Sequence, residues 1–225
     1  MTVLHLADET EAADLAAFLS RLLHYDRGAA VRLQAAGTAL AVFGRPPSFE
    51  VLAVRAVRLA KPYEHGLDVA LDVTVSAGEF LESVDERAAT ATVPGAVTGP
   101  PWAGVLPPRA GWRPEPGLPA PDALRAAVAA AVAEFRSRTE ELGPQGRTRA
   151  ELDRIGRDIW SRLIDGTRLP VRAVHAAQSL GFLRPGTGPG EIGLLSSGTW
   201  LRLRTPYGSV AVRRTGRETF GLSVS

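Results

Sequence analysis

The residues best suited to acid–base chemistry in this sequence are Glu64, His65 and Asp68, which stand close together in the chain. A histidine beside a carboxylate can act as a general base whose orientation the carboxylate fixes. The same three residues stand beside Pro62 and Gly66, and charged side chains in such a setting are also typical of a solvent-facing connection. One alternative for this protein is therefore an enzyme of unknown reaction with its site in the N-terminal half.

Several other kinds of chemistry are excluded by composition. The chain has no cysteine, which rules out disulfides, thiolate nucleophiles and cysteine-ligated zinc or iron–sulfur sites. Its four histidines never stand three or four residues apart, as two ligands on one helix face would. We therefore expect no metal site and no cofactor.

A larger group of basic residues lies near the C-terminus. In the strand predicted for Trp200 to Arg204, alternation places two arginines on one face, and further basic residues stand in the preceding helix and the following strand. The candidate binding residues are Arg168, Arg172, His175, Arg202, Arg204, Arg213 and Arg214. Helices followed by a hairpin also have the broad order of a winged-helix module, which makes nucleic-acid binding by this group a second alternative.

The net charge of +2 conceals a marked division along the chain. Residues 1–146 contain 13 basic and 18 acidic side chains, whereas residues 147–225 contain 13 basic and 6 acidic ones. Two interpretations stay open: a basic C-terminal face binds an acidic partner, or the two parts attract each other within the fold. Lysine occurs once and asparagine is absent, which indicates a GC-rich genome in which arginine is the ordinary cation.

The first 93 residues predict a helix on an antiparallel meander. Asp8 and Glu11 have the spacing of a capping box ahead of a helix that runs to about His24. Strands are predicted over 30–35, 39–43, 49–59 and 69–75, and a second capping box at Ser76 and Glu79 begins a short helix. A threonine-rich strand over 90–93 closes this half.

Residues 94–121 form a separate segment that is rich in proline and glycine. Trp102 and Trp112 have large apolar surfaces that favour burial, so we expect an arm that packs on the surface instead of a free tether. Because proline-rich sequences also bind aromatic grooves, the stretch from Val105 to Arg109 could instead be a ligand for a partner domain.

Residues 122–225 predict three helices and then a basic sheet. The helices begin near Pro121, Thr148 and Pro170, and a glycine- and proline-rich loop over 185–193 precedes predicted strands over 200–204, 209–213 and 220–224. The fold class is therefore α+β: an N-terminal helix on an antiparallel meander, a proline-rich arm, then helices followed by a C-terminal three-stranded antiparallel sheet. No signal peptide and no apolar run of membrane-spanning length is found, so we expect a cytoplasmic protein.

Together these features favour a non-enzymatic interaction or regulatory protein that binds an acidic protein partner through its basic C-terminal face. Nucleic-acid binding and enzymatic activity stay open as the two alternatives.

Overall fold

The computed structural model describes residues 2–47, 49–60 and 71–214, which form an α+β fold. The predicted order is confirmed: an N-terminal helix precedes a meander of strands, helices occupy the middle of the chain, and a three-stranded antiparallel region follows them. No helix within these three ranges is long and apolar enough to cross a membrane.

The elements that precede the arm follow from local signals in the sequence. The Oδ1 atom of Asp8 accepts the backbone N–H of Glu11 at 2.8 Å, and the Oγ atom of Ser76 accepts that of Glu79 at 3.4 Å, so both predicted capping residues begin helices. The helices are α1 (Glu9–Tyr25) and α2 (Ala77–Glu82). The strands are β1 (Val3–His5), β2 (Ala30–Ala36), β3 (Ala39–Gly44), β4 (Leu52–Arg58), β5 (Leu71–Ser76), β6 (Val84–Asp85) and β7 (Thr90–Thr92).

The arm and the C-terminal half supply the remaining elements. The arm, residues 94–121, contains a 3₁₀ turn at Pro101–Gly104 and the short strand β8 (Arg113–Glu115). The helices that follow are α3 (Pro121–Glu141), α4 (Gly143–Gly146), α5 (Arg149–Trp160) and α6 (Val171–Ser179). The last strands are β9 (Gly193–Ser197), β10 (Trp200–Thr205) and β11 (Gly208–Arg213), whereas the predicted strand over 220–224 lies outside the described residues.

Both halves contribute to one antiparallel sheet of eight strands, in the order β5-β2-β3-β4-β11-β10-β9-β8. Its centre is the pairing of β4 with β11, in which Val54, Ala53 and Leu52 lie opposite residues 209–211. Each half therefore supplies a helix and a three-stranded meander, α1 with β2–β4 and α6 with β9–β11, and the last strands of the two meanders meet. A smaller sheet has the order β1-β7-β6.

Alternation along the strands gives the large sheet two different faces. The helix face carries buried aliphatic side chains such as Val31, Val42 and Leu203, and it packs against α1 and α6. The opposite face, which we call the arm face, carries the side chains in between.

Arg55 lies on β4 at the junction of the two halves, and it is 95% buried in the helix face. Its Nη2 atom lies 3.0 Å from Oε2 of Glu11 and 3.3 Å from Oδ2 of Asp14, both on α1. Its Nη1 atom donates a 2.8 Å hydrogen bond to the backbone oxygen of Tyr207, in the turn between β10 and β11. One guanidinium thus connects a helix and a strand of the first half with a turn of the second.

Replacing Arg55 with alanine would leave the carboxylates of Glu11 and Asp14 in a mostly buried position without their cation. Removing one partner of a buried ion pair costs about 3–5 kcal/mol, so we expect the free energy of unfolding to fall by roughly that amount. Urea denaturation measures this loss. The matched control is Arg58→Ala, which also removes a partner of Glu11 but from a side chain that is 71% exposed; its loss should be much smaller. Equal losses in the two variants would contradict this assignment.

Candidate binding surface

Strands β10 and β11 place a row of arginines on the arm face. Arg202 and Arg204 alternate with two buried leucines along β10, so the leucines enter the core and the arginines lie on the opposite side. Arg213 ends β11 and Arg214 follows it, with its guanidinium donating to the backbone oxygen of Gly198. We call Arg202, Arg204, Arg213 and Arg214 the arginine surface.

Two tryptophans lie beside these arginines. The Cζ atom of Arg202 is 5.6 Å from the ring centroid of Trp112 in the arm, and that of Arg213 is 5.3 Å from the centroid of Trp200 on β10. Both distances are within the range of cation–π contacts. The Nε atom of Arg202 also donates a 2.8 Å hydrogen bond to Oγ of Ser209. These contacts fix the positions of two guanidinium groups without neutralising their charge.

The arm crosses the sheet from one edge to the other. Its first residues pair with the edge strand β5, where the N–H of Val97 donates to the backbone oxygen of Thr74 at 2.9 Å. The guanidinium of Arg32 on β2 donates to the backbone oxygen of Ala103 in the 3₁₀ turn. Further along, β8 pairs with β9 near the opposite edge. Between these points, apolar arm residues pack on a small cluster of the arm face; they are Trp102, Leu106 and Trp112, against Leu52, Trp200 and Ala211.

The charges within the structure bear on the two interpretations of the charge division. Three arginines from residues 147–214 pair with acidic residues that precede them: Arg162 with Glu134 at 2.6 Å, Arg172 with Glu50 at 3.8 Å and Arg184 with Asp14 at 2.7 Å. Part of the opposite charge is therefore neutralised within the fold. By contrast, residues 193–214 contain no aspartate or glutamate, and none of the four members of the arginine surface forms an ion pair with any described residue.

Burial lowers the pKa of Arg202, and the nearby positive charge of Arg204 lowers it further. Both causes act against the charged form of the guanidinium. An anion bound beside these two arginines would remove both penalties.

The other predicted binding residues lie elsewhere. Arg168 is exposed in the loop before α6, but Arg172 and His175 lie on α6 and are half-buried or more. Helix α6 packs against α3, α5 and the helix face of β10 and β11, so these side chains do not join the arginine surface. Glu64, His65 and Asp68 lie outside the described residues.

His175 belongs to a row of aromatic rings that connects the two halves. Its ring stacks on Trp160 with centroids 4.7 Å apart and meets Phe49 edge-on at 5.1 Å. The row continues to Phe135 beyond Trp160 and to Tyr25 beyond Phe49. Burial among these rings lowers the pKa of His175.

Sequence reasoning found the arginines but missed their aromatic neighbours. Trp200 stands two and four residues before Arg202 and Arg204, and strand alternation alone puts all three on one face. The contact of Trp112 with Arg202 has no comparable local signal, because the arm approaches the strand from 90 residues earlier in the chain. No cluster of histidine and carboxylate residues that could hold a metal ion occurs in the described ranges.

Two family models match the chain, and both describe domains of unknown function. Domain of unknown function (DUF8010) matches residues 1–104, and Domain of unknown function (DUF8185) matches residues 107–217. Neither a curated protein nor a solved structure matches the chain. The two matched ranges meet inside the arm, although strands from both form the eight-stranded sheet.

Trp112→Ala should loosen the arm over the arginine surface, because it removes the ring that covers Arg202. Partial burial of such a ring stabilises a contact by about 1–1.5 kcal/mol, so we expect trypsin cleavage after the exposed Arg109 to become roughly tenfold faster. Limited proteolysis followed by mass spectrometry measures the rate. Val105→Ala, at an arm residue that is 45% exposed, is the control and should leave the rate unchanged. An unchanged rate in Trp112→Ala would mean that the ring does not hold the arm.

His175 should make the stability of the protein depend on pH. Its folded-state pKa is lowered, so below about the ordinary value of 6.5 the unfolded chain binds more protons than the folded one. The contribution of His175 is therefore complete above that value and is lost as the pH falls towards the lowered pKa. His175→Phe keeps a ring but cannot titrate, so its free energy of unfolding should fall less between about pH 8 and pH 5 in urea denaturation series. Parallel curves for the two proteins would be the contrary result.

Proposed function

We propose that this protein is a non-enzymatic interaction protein that binds an acidic segment of a protein partner through the arginine surface. The observation that carries this proposal is the lack of any carboxylate partner for Arg202, Arg204, Arg213 and Arg214 among the described residues. Other arginines of the C-terminal part pair within the fold, so the remaining positive charge is concentrated on one face of one sheet.

The energetics of Arg202 support a carboxylate as the bound group. This side chain is partly desolvated and has a second cation beside it, and its polar contacts are to a neutral hydroxyl and an aromatic ring. A carboxylate could bind a guanidinium through two parallel hydrogen bonds, which are stronger than those between neutral groups. It would also relieve the repulsion between Arg202 and Arg204.

The spacing of the arginines fits an extended acidic segment. Arg202 and Arg204 are two residues apart on one strand, so their side chains begin about 7 Å from each other on the same face. Alternate carboxylates on an extended peptide have the same separation. Because β10 is paired on both sides, with β9 and with β11, the arginines project from a rigid backbone.

The placement of α6 favours a protein partner over duplex DNA. A winged-helix module reads DNA with an outward-facing helix that enters the major groove. In this protein Arg172 and His175 contact Glu50, Phe49 and Trp160 instead, and α6 is covered by α3, α5 and the sheet. Duplex DNA is therefore included in the test as the competing partner.

The proposal is tested with an octaglutamate peptide as the acidic probe. We expect the triple variant Arg202→Gln, Arg204→Gln, Arg213→Gln to bind this peptide at least about tenfold more weakly than the unchanged protein, since each lost charge-assisted contact weakens binding. Fluorescence anisotropy with a labelled peptide at several salt concentrations measures the affinity.

The matched control replaces Arg149, Arg157 and Arg168 with glutamine. These exposed residues lie off the arginine surface, so the control changes the net charge equally and should keep the affinity. Equal weakening in both triple variants would reduce the binding to a general charge effect and overturn the proposal. Tighter binding of a 16-base-pair DNA duplex than of octaglutamate, lost in the first variant alone, would assign the surface to nucleic acid instead.

A further inference from the structure

A groove of about 640 Å³ lies on the side of the molecule that carries the helices, between α3, α5, α6 and the segment before β4. This volume is within the range of small-molecule sites. The floor of the groove is formed by Phe135, Leu152, Gly156 and Trp160, and its rim includes Arg157 and Arg172. An aromatic and aliphatic floor with two cations at its rim suits a ligand that combines an apolar ring with an anionic group.

Arg172 is the first observation that points to a ligand. Its side chain is 81% buried, yet its guanidinium makes no hydrogen bond to any described residue, and its Nε atom is fully buried without a partner. Oε2 of Glu50 lies 3.8 Å from that atom, which is beyond hydrogen-bond length, and the Glu50 side chain is 73% exposed. A desolvated cation with so little compensation is unfavourable unless an anion binds to it.

Gly156 is the second observation. It lies in the interior of α5, where glycine is among the poorest residues for helix formation. A Cβ atom at this position would lie 3.4 Å from Cδ1 of Trp160 and 3.8 Å from Cε2 of Phe135, which are ordinary contact distances. The local packing would thus accept alanine, and the glycine instead leaves open space on the groove floor.

Glu50 adds a third feature at the rim. Its φ angle of 51° is in the left-handed region, which is uncommon for residues other than glycine and which is found often at binding sites. The strained backbone keeps its carboxylate near Arg172 at a distance that a bound carboxylate could shorten by taking its place.

We infer that this groove binds a small aromatic carboxylate, whose ring packs on Phe135, Gly156 and Trp160 and whose carboxylate pairs with Arg172. Arg157, which has no ion pair with a described residue, supplies a second cation at the opening. This site lies apart from the arginine surface and does not depend on the function proposed for it.

The test is a titration of the full chain by isothermal calorimetry with benzoate, phenylacetate and indole-3-acetate. Each acid is compared with its own amide, which keeps the ring and removes the charge, and acetate supplies the charge without a ring. We expect at least one of the acids to bind saturably, and at least about tenfold more tightly than its amide and than acetate.

Two variants locate the site. Arg172→Gln should weaken binding of the acid at least about tenfold and leave that of the amide unchanged, whereas Arg168→Gln, in the nearby loop, should change neither. Gly156→Ala should fold with a melting temperature at least equal to that of the unchanged protein and should weaken both acid and amide, because its methyl group occupies the floor. This variant keeps the test decisive if Arg172→Gln does not fold.

The inference is overturned if none of the three acids binds saturably, or if acid and amide bind equally well. It is also overturned if a folded Arg172→Gln variant and the Gly156→Ala variant both bind the acid with unchanged affinity.

Discussion

The fold depends on the buried guanidinium of Arg55, because this group lies where the two halves of the sheet meet. The β4–β11 pairing covers only three residue pairs, which is a short joint for an eight-stranded sheet. Arg55 reinforces it by bonding α1 and the β10–β11 turn at once. Asp14 extends the network to Arg184, whose guanidinium lies 3.8 Å from the ring centroid of Tyr207 in the same turn. The position of the arginine surface on β10 and β11 relative to the first half therefore follows from a buried ionic contact on the opposite face.

The two faces of this sheet treat positive charge in opposite ways. On the helix side, arginines have carboxylates from the first part of the chain as partners, as Arg55 and Arg184 show. Removing charge from water is unfavourable, so cations on that side must be paired. On the arm face, Arg202 and Arg213 have aromatic rings beside them instead, which favour a cation but leave its charge in place. The same strands thus combine a neutralised interior with a charged exterior, which concentrates the net positive charge at one surface.

Local signals in the sequence predicted most elements, whereas the contacts between distant elements could not be predicted. The capping residue Thr148 accepts the N–H of Glu151 at 3.3 Å as its spacing indicates, since this bond involves residues three positions apart. Strand β9 was missed because its serines and glycine have low strand propensity, and its pairing with β8 and β10 stabilises it instead. The orientation of Arg172 and His175 was missed because periodicity assigns only one buried face to α6. Alanines on its remaining sides let neighbouring elements approach closely enough to bury nearly the whole helix.

The boundary between the two matched families does not separate two independent folding units. Strands β4 and β11 would each become an unpaired edge if the chain were divided within the arm, and exposed edges of this kind promote aggregation. Arg55 would also lose the backbone oxygen of Tyr207, and the arm would be cut between Trp102 and Trp112, which pack in one cluster on the arm face. That cluster includes Leu52 from one matched range and Trp200 from the other. Because both faces of the joint need residues from both ranges, the arginine surface and the helix-side groove are properties of the combined fold.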